Sequence, residues 1–330
     1  MRRLLTLFFV LAFTLSAGAQ SEKKNILVKA DSLLVKMYNK TPYDTAYVVR
    51  PSGRFSLRFK SDQTGNDIYT KGTVNGIKSK ARLHTRFKTT VGVDVAYRGL
   101  SVALSVNPEK MKGSYNDFEF VLNYFGNRFS LDASYQRSTT LSGNVEYGIK
   151  QHLESGDVLL NIINLAGYYT FNHRHFSYPA AFTQLFVQKR SAGSWLAGIS
   201  YQGGQLKSRE ALKERESNAP DLKFYMGHFG IGAGYGYNWV FAKKCMLHLS
   251  MLPTLVVYNR NKFIINGVEK KASNARLNMI FNERVAFVWN ISDHCFSGAS
   301  LLMNNYLYNN NTITFNQNKW QACAFFGIRW

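Results

Sequence analysis

The twelve C-terminal residues, 319–330, alternate between two kinds of side chain. The odd positions are mostly polar or small, and the even positions carry apolar side chains: Trp320, Ala322, Ala324, Phe326, Ile328 and Trp330. Because successive side chains of a strand point to opposite faces, the pattern predicts a strand with one apolar face. Such a strand ends either a soluble sandwich or a membrane-spanning barrel, and the rest of the chain decides between them.

The N-terminus carries the pattern of a secretion signal. Arg2 and Arg3 precede an apolar run over residues 4–15, and the segment 17–19 has the small-x-small sequence of a cleavage site. We therefore assign residues 1–19 to a signal peptide. The rest of the chain is expected to be exported, with Gln20 as its first residue.

Beyond the signal, no stretch approaches the roughly 20 consecutive apolar residues that a transmembrane helix needs. Aromatic residues nevertheless make up 15% of the chain, with 24 Phe and 19 Tyr. Short alternating runs rich in aromatics favour a barrel, whose closed sheet satisfies every backbone hydrogen bond inside lipid. The predicted location is the outer membrane of a Gram-negative bacterium.

Period-2 runs recur along the chain and define the expected strands. They lie near residues 55–60, 87–97, 100–106, 118–124, 129–135, 229–241, 247–257, 285–289 and 294–307. Short connections are expected near 97–99, 125–127, 242–244 and 291–294. Long ones are expected near 61–80, 108–116, 137–157, 204–224, 259–275 and 308–318. Alternating short turns and long loops are typical of outer-membrane barrels.

The fold predicted from these runs is all-β, a transmembrane antiparallel β-barrel over residues 53–330. It has about 12 strands, or about 14 if residues 137–203 hold an extra hairpin. Residues 20–52 are expected to form a periplasmic arm, in which apolar residues at helical spacing over 22–38 predict a short amphipathic helix. The helix is either a plug or docking element, or an arm that packs under the barrel mouth.

Several segments resemble one family of outer-membrane barrels. They are FSYPAAF at 176–182, QKRSAGS at 188–194, YDTAYV at 43–48 and GYNWVF at 236–241. The family is catalogued only as domain of unknown function four-four-two-one, and the resemblance covers most of the exported chain. It implies an exported barrel, and it implies no activity, cofactor or site residue.

The formal net charge is +21, and removing Arg2 and Arg3 with the signal leaves 21 − 2 = +19. In a cytoplasmic protein this excess would indicate nucleic acid, which an exported chain does not routinely meet. We therefore expect no nucleic-acid partner, and instead outer-membrane lipids, lipopolysaccharide, anionic glycans or small anions. The terminal pattern of Phe326, Ile328 and Trp330 is the expected signal to the outer-membrane assembly machinery.

The polar faces of the predicted strands are mostly basic. The candidates for a pore lining on these faces are Arg54, Arg58, Lys88, Arg128, Arg276, Arg284 and Arg329. The proline-containing segment 172–184 is expected to be a periplasmic or lumen-folded connection rather than an ordinary long turn. Lys189 and Arg190, which follow it, are then expected to face the interior as well. A basic lumen favours anions if it holds a water path. A barrel of about 12 strands can equally be filled by its own side chains, with cations paired to carboxylates.

The chain has no nucleophile motif of the G-x-S-x-G type. His228 and His248 fall on adjacent predicted strands with Ser250 nearby, which leaves a lipid hydrolase as a minor alternative. The cysteines match neither a disulfide framework nor a zinc motif, and a bridge between the first two is the less favoured reading: Cys245, Cys295 and Cys323. We predict a protein that is not an enzyme and that has no cofactor or metal.

Two functions from different classes fit these observations. The first is a narrow, anion-preferring pore or a transport-related barrel. The second is a non-conducting structural or surface barrel whose long basic loops, such as 204–224, bind anionic glycans or lipopolysaccharide.

Overall fold

The computed structural model describes residues 42–51, 53, 55–74, 76–97, 100–111, 117–216, 221–271, 277–309 and 313–330. Except for Leu100, these residues belong to one compact unit, Pro42–Tyr97 with Ser101–Trp330. The predicted signal peptide, the predicted helix at 22–38 and the candidates Arg54 and Arg276 lie outside the described residues and stay predictions.

Strands dominate the described residues. They are β1 (Val48–Val49), β2 (Phe55–Val74), β3 (Ile77–Thr85), β4 (Lys88–Tyr97), β5 (Leu100–Val106), β6 (Phe118–Phe125), β7 (Phe129–Ser138), β8 (Leu141–Tyr147), β9 (Ile149–Leu153), β10 (Val158–Thr170), β11 (Val187–Gln188), β12 (Ala192–Ser208), β13 (Leu222–Phe241), β14 (Cys245–Asn259), β15 (Lys262–Ile265), β16 (Val268–Lys271), β17 (Leu277–Trp289), β18 (Cys295–Asn309) and β19 (Ile313–Arg329). The helices are α1 (Pro108–Met111), α2 (Tyr178–Phe182) and α3 (Glu210–Arg215). None of the described helices has the length and hydropathy needed to cross a membrane.

The long strands form one antiparallel series. Its order is β4–β2–β19–β18–β17–β14–β13–β12–β10–β7–β6. β5 stands between β4 and β6 in the strand order, so the sheet curls round on itself. The N-terminal β2 and the C-terminal β19 pair from Ser56 opposite Arg329 to Gly72 opposite Ile313. The predicted all-β antiparallel barrel is confirmed, and the count of about 12 strands stays a prediction.

The two ends of the barrel differ. Short connections at 126–128, 242–244 and 290–294 lie at one end, here called the turn end, together with Trp330. Strand hairpins β2–β3, β8–β9 and β15–β16 lie at the other end, here called the loop end. In outer-membrane barrels the short turns face the periplasm and the long extensions face outward.

Several segments predicted as long loops are instead ordered. The segment 61–80 contains most of β2 and the start of β3, and the segments 137–157 and 259–275 contain the other two hairpins. The segment 204–224 contains the end of β12 and α3, whose Leu212 is buried. A β-ladder joins backbone groups, so a strand continues with polar side chains after it leaves the lipid, where apolar alternation no longer marks it.

The outward face of the barrel is apolar between its two ends. Four tryptophans are exposed near the turn end: Trp195, Trp239, Trp289 and Trp330. On β19, Trp320 lies ten residues from Trp330 towards the loop end. Ten residues of strand measure about 33 Å, which corresponds to about 25 Å of height at a tilt near 40°. That height equals the hydrocarbon band of outer-membrane barrels.

The interior of the barrel has three layers. At the turn end, a hydrophobic cluster forms around Phe176 and Tyr178. At the loop end, a second cluster forms around Leu141 and Leu160 and includes side chains of the hairpin strands. Between the two lies a belt of buried polar side chains, which adjoins the partly buried Asp132: Asn66, Gln136, Ser200, Gln202, Asn282, Arg284 and Gln317.

Candidate functional site, a filled lumen with a folded plug

The connection between β10 and β12 folds back into the turn end of the lumen. We call residues 171–191 the plug segment. It contains α2, all of whose residues are buried, and β11. The stretch FSYPAAF at 176–182 has no charged side chain that would favour water over the lumen. The segment is therefore lumen-folded, one of the two arrangements that the sequence left open.

Local hydrogen bonds explain why α2 begins and ends where it does. Ser177 is the N-cap, and its Oγ accepts a hydrogen bond from the Ala180 amide at 3.2 Å. Pro179 lies in the first turn, where its missing N–H costs nothing. Thr183 closes the helix by donating from both its amide and its Oγ1 to the Pro179 carbonyl.

Aromatic side chains of the plug segment pack against the barrel wall at His248. The ring centroids of Phe176, Tyr178 and Phe182 lie 5.8, 5.0 and 5.1 Å from that of His248. On the opposite side, Phe125 stacks on Phe182 at 4.7 Å. The plug segment therefore contacts both β14 and β6 and fills the lumen between them.

A chain of hydrogen bonds fixes the plug segment to the wall. Asn238 Nδ2 donates to the Ser177 carbonyl at 3.0 Å and to Gln188 Oε1 at 2.9 Å. Asn238 Oδ1 lies 2.6 Å from His248 Nδ1, and His248 Nε2 lies 2.9 Å from Ser250 Oγ. Ser250, His248 and Asn238 thus stand in the order of a nucleophile, a base and an orienting residue, beneath the plug segment.

His228, the other candidate histidine, belongs to a separate contact. Its Nε2 lies 2.8 Å from Asn261 Oδ1 and 2.9 Å from the Tyr306 hydroxyl, near the loop-end cluster. His228 and His248 therefore do not form one site. In the described part of the chain, no group of three or more His, Cys, Asp or Glu side chains is arranged to hold a metal ion. All three cysteines are free.

Two basic side chains of the wall hold the C-terminal part of the plug segment. Arg58 donates to the Phe182 carbonyl and to Gln184 Oε1, both at 2.7 Å, and is ion-paired with Asp94. Arg329 donates to the Gln184 carbonyl at 3.1 Å, and its guanidinium lies 4.2 Å from the centre of the Phe296 ring. These two cations bind backbone and side-chain oxygens of the plug segment.

Residues 42–49 brace the plug segment from the turn end. Val48 of β1 stands opposite Gln188 of β11, and Ser177 Oγ donates to the Tyr43 hydroxyl at 3.1 Å. Burial raises the pKa of Tyr43 above its usual range. The amide of Ala46 donates to the Asp44 carboxylate and, with the nearby His175, lowers the pKa of Asp44.

Three cations inside the barrel are each paired with a carboxylate. Arg284 is ion-paired with Asp132. Lys319 Nζ lies 2.9 Å from Glu119, and Lys88 Nζ lies 3.1 Å from Asp117. A buried charge without a partner costs several kcal/mol, and these three cations avoid that cost through the carboxylates beside them. The basic excess predicted for the lumen is therefore compensated at these positions.

The cavity next to the buried ion pair of the belt is small. The cavity beside Arg284, Asp132 and Ser200 has a volume of about 50 Å³. A water molecule needs at least about 10–15 Å³ of such space, so the cavity has room for a few waters. The arrangement can hold water between ion pairs, and it is much smaller than a ligand site of about 300–1,000 Å³.

The predicted pore-lining residues separate into two groups. Arg58, Lys88, Arg284 and Arg329 lie inside the barrel, in the contacts described above. By contrast, the expectation of an interior position is corrected for three residues that are exposed at the turn end: Arg128, Lys189 and Arg190. Arg128 follows the tight turn at 126–127, and Lys189 and Arg190 follow β11, which pairs with β1 at the turn end.

The aromatic terminus lies on the outward face. Phe326 is 46% exposed and Trp330 is 56% exposed, and Ile328 between them is exposed as well. The ring of Trp330 stacks on that of Phe55 at 5.9 Å across the β19–β2 pair. The role of this pattern as an assembly signal stays a prediction.

Sequence reasoning missed Asp117, Asn238 and Gln184. Asp117 falls at the edge of a predicted loop, and Asn238 is a single polar residue within a strongly aromatic strand. Gln184 has a positive φ of 53°, a conformation that nothing in its neighbours' sequence requires. The one available signal in the sequence is a polar residue at a strand position whose side chain points inward. Of the three residues, only Asn238 shows it.

A closed antiparallel sheet with a lipid-height apolar band and tryptophans at its borders is the form in which β-structure crosses a membrane. The fold therefore defines the class: an integral outer-membrane β-barrel. Within this class, the chain belongs to the family described as a domain of unknown function (DUF4421), whose model matches residues 42–330. The comparison with curated proteins found no match.

Solved structures similar to this chain include outer-membrane proteins. The outer-membrane protease OmpT from Escherichia coli is 7% identical, with 89% of this chain and 100% of that chain covered and a TM-score of 0.41. The translocator domain of the autotransporter NalP from Neisseria meningitidis is 8% identical, with 93% and 96% covered and a TM-score of 0.30. The toluene transporter TodX from Pseudomonas putida is 8% identical, with 85% and 91% covered and a TM-score of 0.25. These likenesses assign no activity to the present chain.

Proposed function

We propose that the protein is a closed outer-membrane barrel that does not conduct solutes and that acts through the surface it exposes. The layering of the interior carries this proposal, since the polar belt lies between two hydrophobic clusters. An ion entering from either end would have to lose its water among buried aliphatic and aromatic side chains. Hydrophobic constrictions of this kind close channels by dewetting.

The ion pairs support the same proposal. Selection for anions needs cationic side chains whose charge faces a water path. In the described lumen, Arg284, Lys319 and Lys88 each have a carboxylate beside them. The anion-preferring pore therefore receives less support from the geometry than the non-conducting barrel.

Recording from planar bilayers that contain the purified full-length protein tests the proposal. We expect no unitary conductance steps above those of a protein-free bilayer, while a general porin prepared in the same detergent gives clear steps. Stable steps from this protein, with reversal potentials that indicate anion preference, would replace the closed barrel by the pore.

One observation favours a second candidate, a lipid hydrolase. Ser250, His248 and Asn238 are hydrogen-bonded in series, as a nucleophile and its base require. The plug segment covers this trio, so catalysis would require the plug segment to leave the lumen. A purified protein that hydrolyses phospholipid, with the activity lost in His248→Ala, would support this candidate, and an inactive wild-type protein would remove it.

A further inference from the structure

The strand β3 carries a row of basic side chains on its outward face. Lys78, Lys80, Arg82 and His84 are all exposed, and they alternate with inward residues that include the buried Leu83. Alternate side chains of a strand lie about 6.6–6.8 Å apart on the same face. The row from His84 to Lys78 therefore spans about 20 Å.

Neighbouring strands extend this row into a sheet face. Lys71 of β2 stands opposite Lys80, and Lys80 stands opposite Glu146 of β8. Glu146 in turn stands opposite Lys150 of β9. Strands in a sheet lie about 4.8 Å apart, so these four side chains share one line across the face. We call the group the basic face: Lys71, Lys78, Lys80, Arg82 and Lys150.

Charge on the basic face is largely uncompensated. Glu146 and Asp67 are the acidic residues that the register places on it, against five cations. Within the described structure, no ion pair involves Lys71, Lys78 or Lys80, whereas Lys88, Arg284 and Lys319 inside the barrel are paired with carboxylates. The fold does not need this charge for its own packing, because the opposite side of the hairpin supplies the apolar contacts of Leu83 and Leu141.

The basic face begins at the outer border of the apolar band. Trp320 lies opposite Gly65 of β2, and the Phe87 ring, which is 64% exposed, lies 5.5 Å from the Trp320 ring. His84 stands opposite Asp67, only two residues further along β2. Arg82, the first member of the basic face, follows two residues beyond, opposite Tyr69. The same outward surface therefore changes from aromatic to cationic within two side-chain spacings of Trp320, at the height of the lipid headgroups.

We propose that the basic face binds the phosphate groups of outer-leaflet lipopolysaccharide, with the acyl chains lying against the band below Phe87 and Trp320. A phosphate-bearing glycolipid matches both parts of this surface, because cations attract phosphate and exposed aromatics accept acyl chains. A soluble polyanion would meet only the cationic part. The proposal rests on the proposed function, since it names the partner of the exposed surface.

Binding of purified lipopolysaccharide to the full-length protein in detergent tests this assignment. The test variant is Lys78→Gln/Lys80→Gln/Arg82→Gln. The matched control is Arg128→Gln/Lys189→Gln/Lys243→Gln, which removes the same charge from exposed positions at the turn end. Heat-modifiable gel mobility establishes that both variants are folded barrels.

We expect the test variant to bind lipopolysaccharide at least about tenfold more weakly, and the control to bind within about twofold of wild type. Dephosphorylated lipopolysaccharide should bind the wild-type protein as weakly as the test variant binds the intact lipid. Equal binding by the test variant and wild type, or equal weakening in the control, would overturn the assignment. Tighter binding of inorganic polyphosphate than of lipopolysaccharide would overturn it in favour of a soluble polyanion.

These outcomes are separate from those of the conductance experiment. A conducting barrel that still binds lipopolysaccharide through the basic face would contradict the proposed function and leave this site in place. A barrel that shows no conductance and binds no lipopolysaccharide would contradict the assignment of the basic face and leave the proposed function in place.

Discussion

At the scale of single residues, the interior charges constrain the protein most. Arg284 is 3% exposed, and its guanidinium is paired with Asp132 and lies 4.6 Å from the centre of the Tyr168 ring. Each member of such a buried pair depends on the other, because an unpaired charge in this environment is costly. The pair therefore connects β17 and β7 across the lumen.

We expect Arg284→Met to lower the free energy of unfolding by about 3–5 kcal/mol, because it leaves the Asp132 carboxylate buried and unpaired. Denaturant unfolding of the protein in lipid vesicles measures this. The double variant Arg284→Met/Asp132→Leu should recover most of the loss, since it removes both charges together. A single variant as stable as wild type would mean that water, not Arg284, compensates Asp132.

At the scale of elements, the plug segment occupies the lumen at the turn end. Its aromatic side chains occupy the turn-end cluster, and Arg58, Arg329 and Asn238 hold its backbone. Packing and hydrogen bonding therefore act together on the same seven residues, 176–182, and on the chain that follows them.

We expect Phe182→Ala to loosen the plug segment, at a cost of about 3–5 kcal/mol for a buried aromatic side chain. The measurement is cleavage by trypsin at Arg174, Lys189 and Arg190 in the folded protein, followed by mass spectrometry, and it should be faster in the variant. Phe171→Ala is the matched control, because this side chain is 57% exposed in the same segment. Equal cleavage rates in the two variants would contradict the packing role of Phe182.

The strand β19 should respond to charge according to depth in the membrane. Ala324 is exposed on the outward face between Trp320 and Trp330, whereas Asn318 lies beyond Trp320 towards the loop end. Ala324→Arg should lower stability by about 2–4 kcal/mol and Asn318→Arg by only about 0–1 kcal/mol. Unfolding in guanidinium with lipid vesicles compares the two. Similar losses at both positions would place the hydrocarbon band elsewhere.

At the scale of the whole molecule, the closed sheet should resist detergent as one unit. The long pairing of β2 with β19 leaves no free edge between the chain's first and last long strands. We expect the protein in outer-membrane fractions to migrate differently on gels before and after boiling in detergent, because the unheated barrel stays compact. Recovery of the protein in the soluble periplasmic fraction would contradict the membrane assignment.

The faces of the strands could be predicted because the signal for them is local. On β13, Ile231, Tyr235 and Trp239 alternate with glycine or asparagine, and lipid selects the apolar side at each of these positions. The hairpin β2–β3 lies beyond the lipid, where water accepts either kind of side chain on the outward face. The same period-2 rule therefore read Lys78 and Lys80 as part of a polar loop.

The candidate site was predictable only in part, for a related reason. The alternation of side chains along a strand places Arg58 and Arg284 inside. It does not identify the residues that they contact there. Arg284 and Asp132 are 152 residues apart in the chain, and Arg58 and Gln184 are 126 apart. Such partners meet only after the sheet has closed, so no local pattern can identify them.

By itself, the sequence determined the antiparallel all-β class and the lipid-facing side of strands such as β19, because each side chain there meets either lipid or interior independently of distant residues. Only the tertiary structure decided that the plug segment folds into the lumen, that Lys88, Arg284 and Lys319 are paired with carboxylates, and that a basic face stands at the outer border of the band. These features depend on which distant residues the closed sheet brings together, since pairing a buried charge or packing a plug requires a partner from another part of the chain.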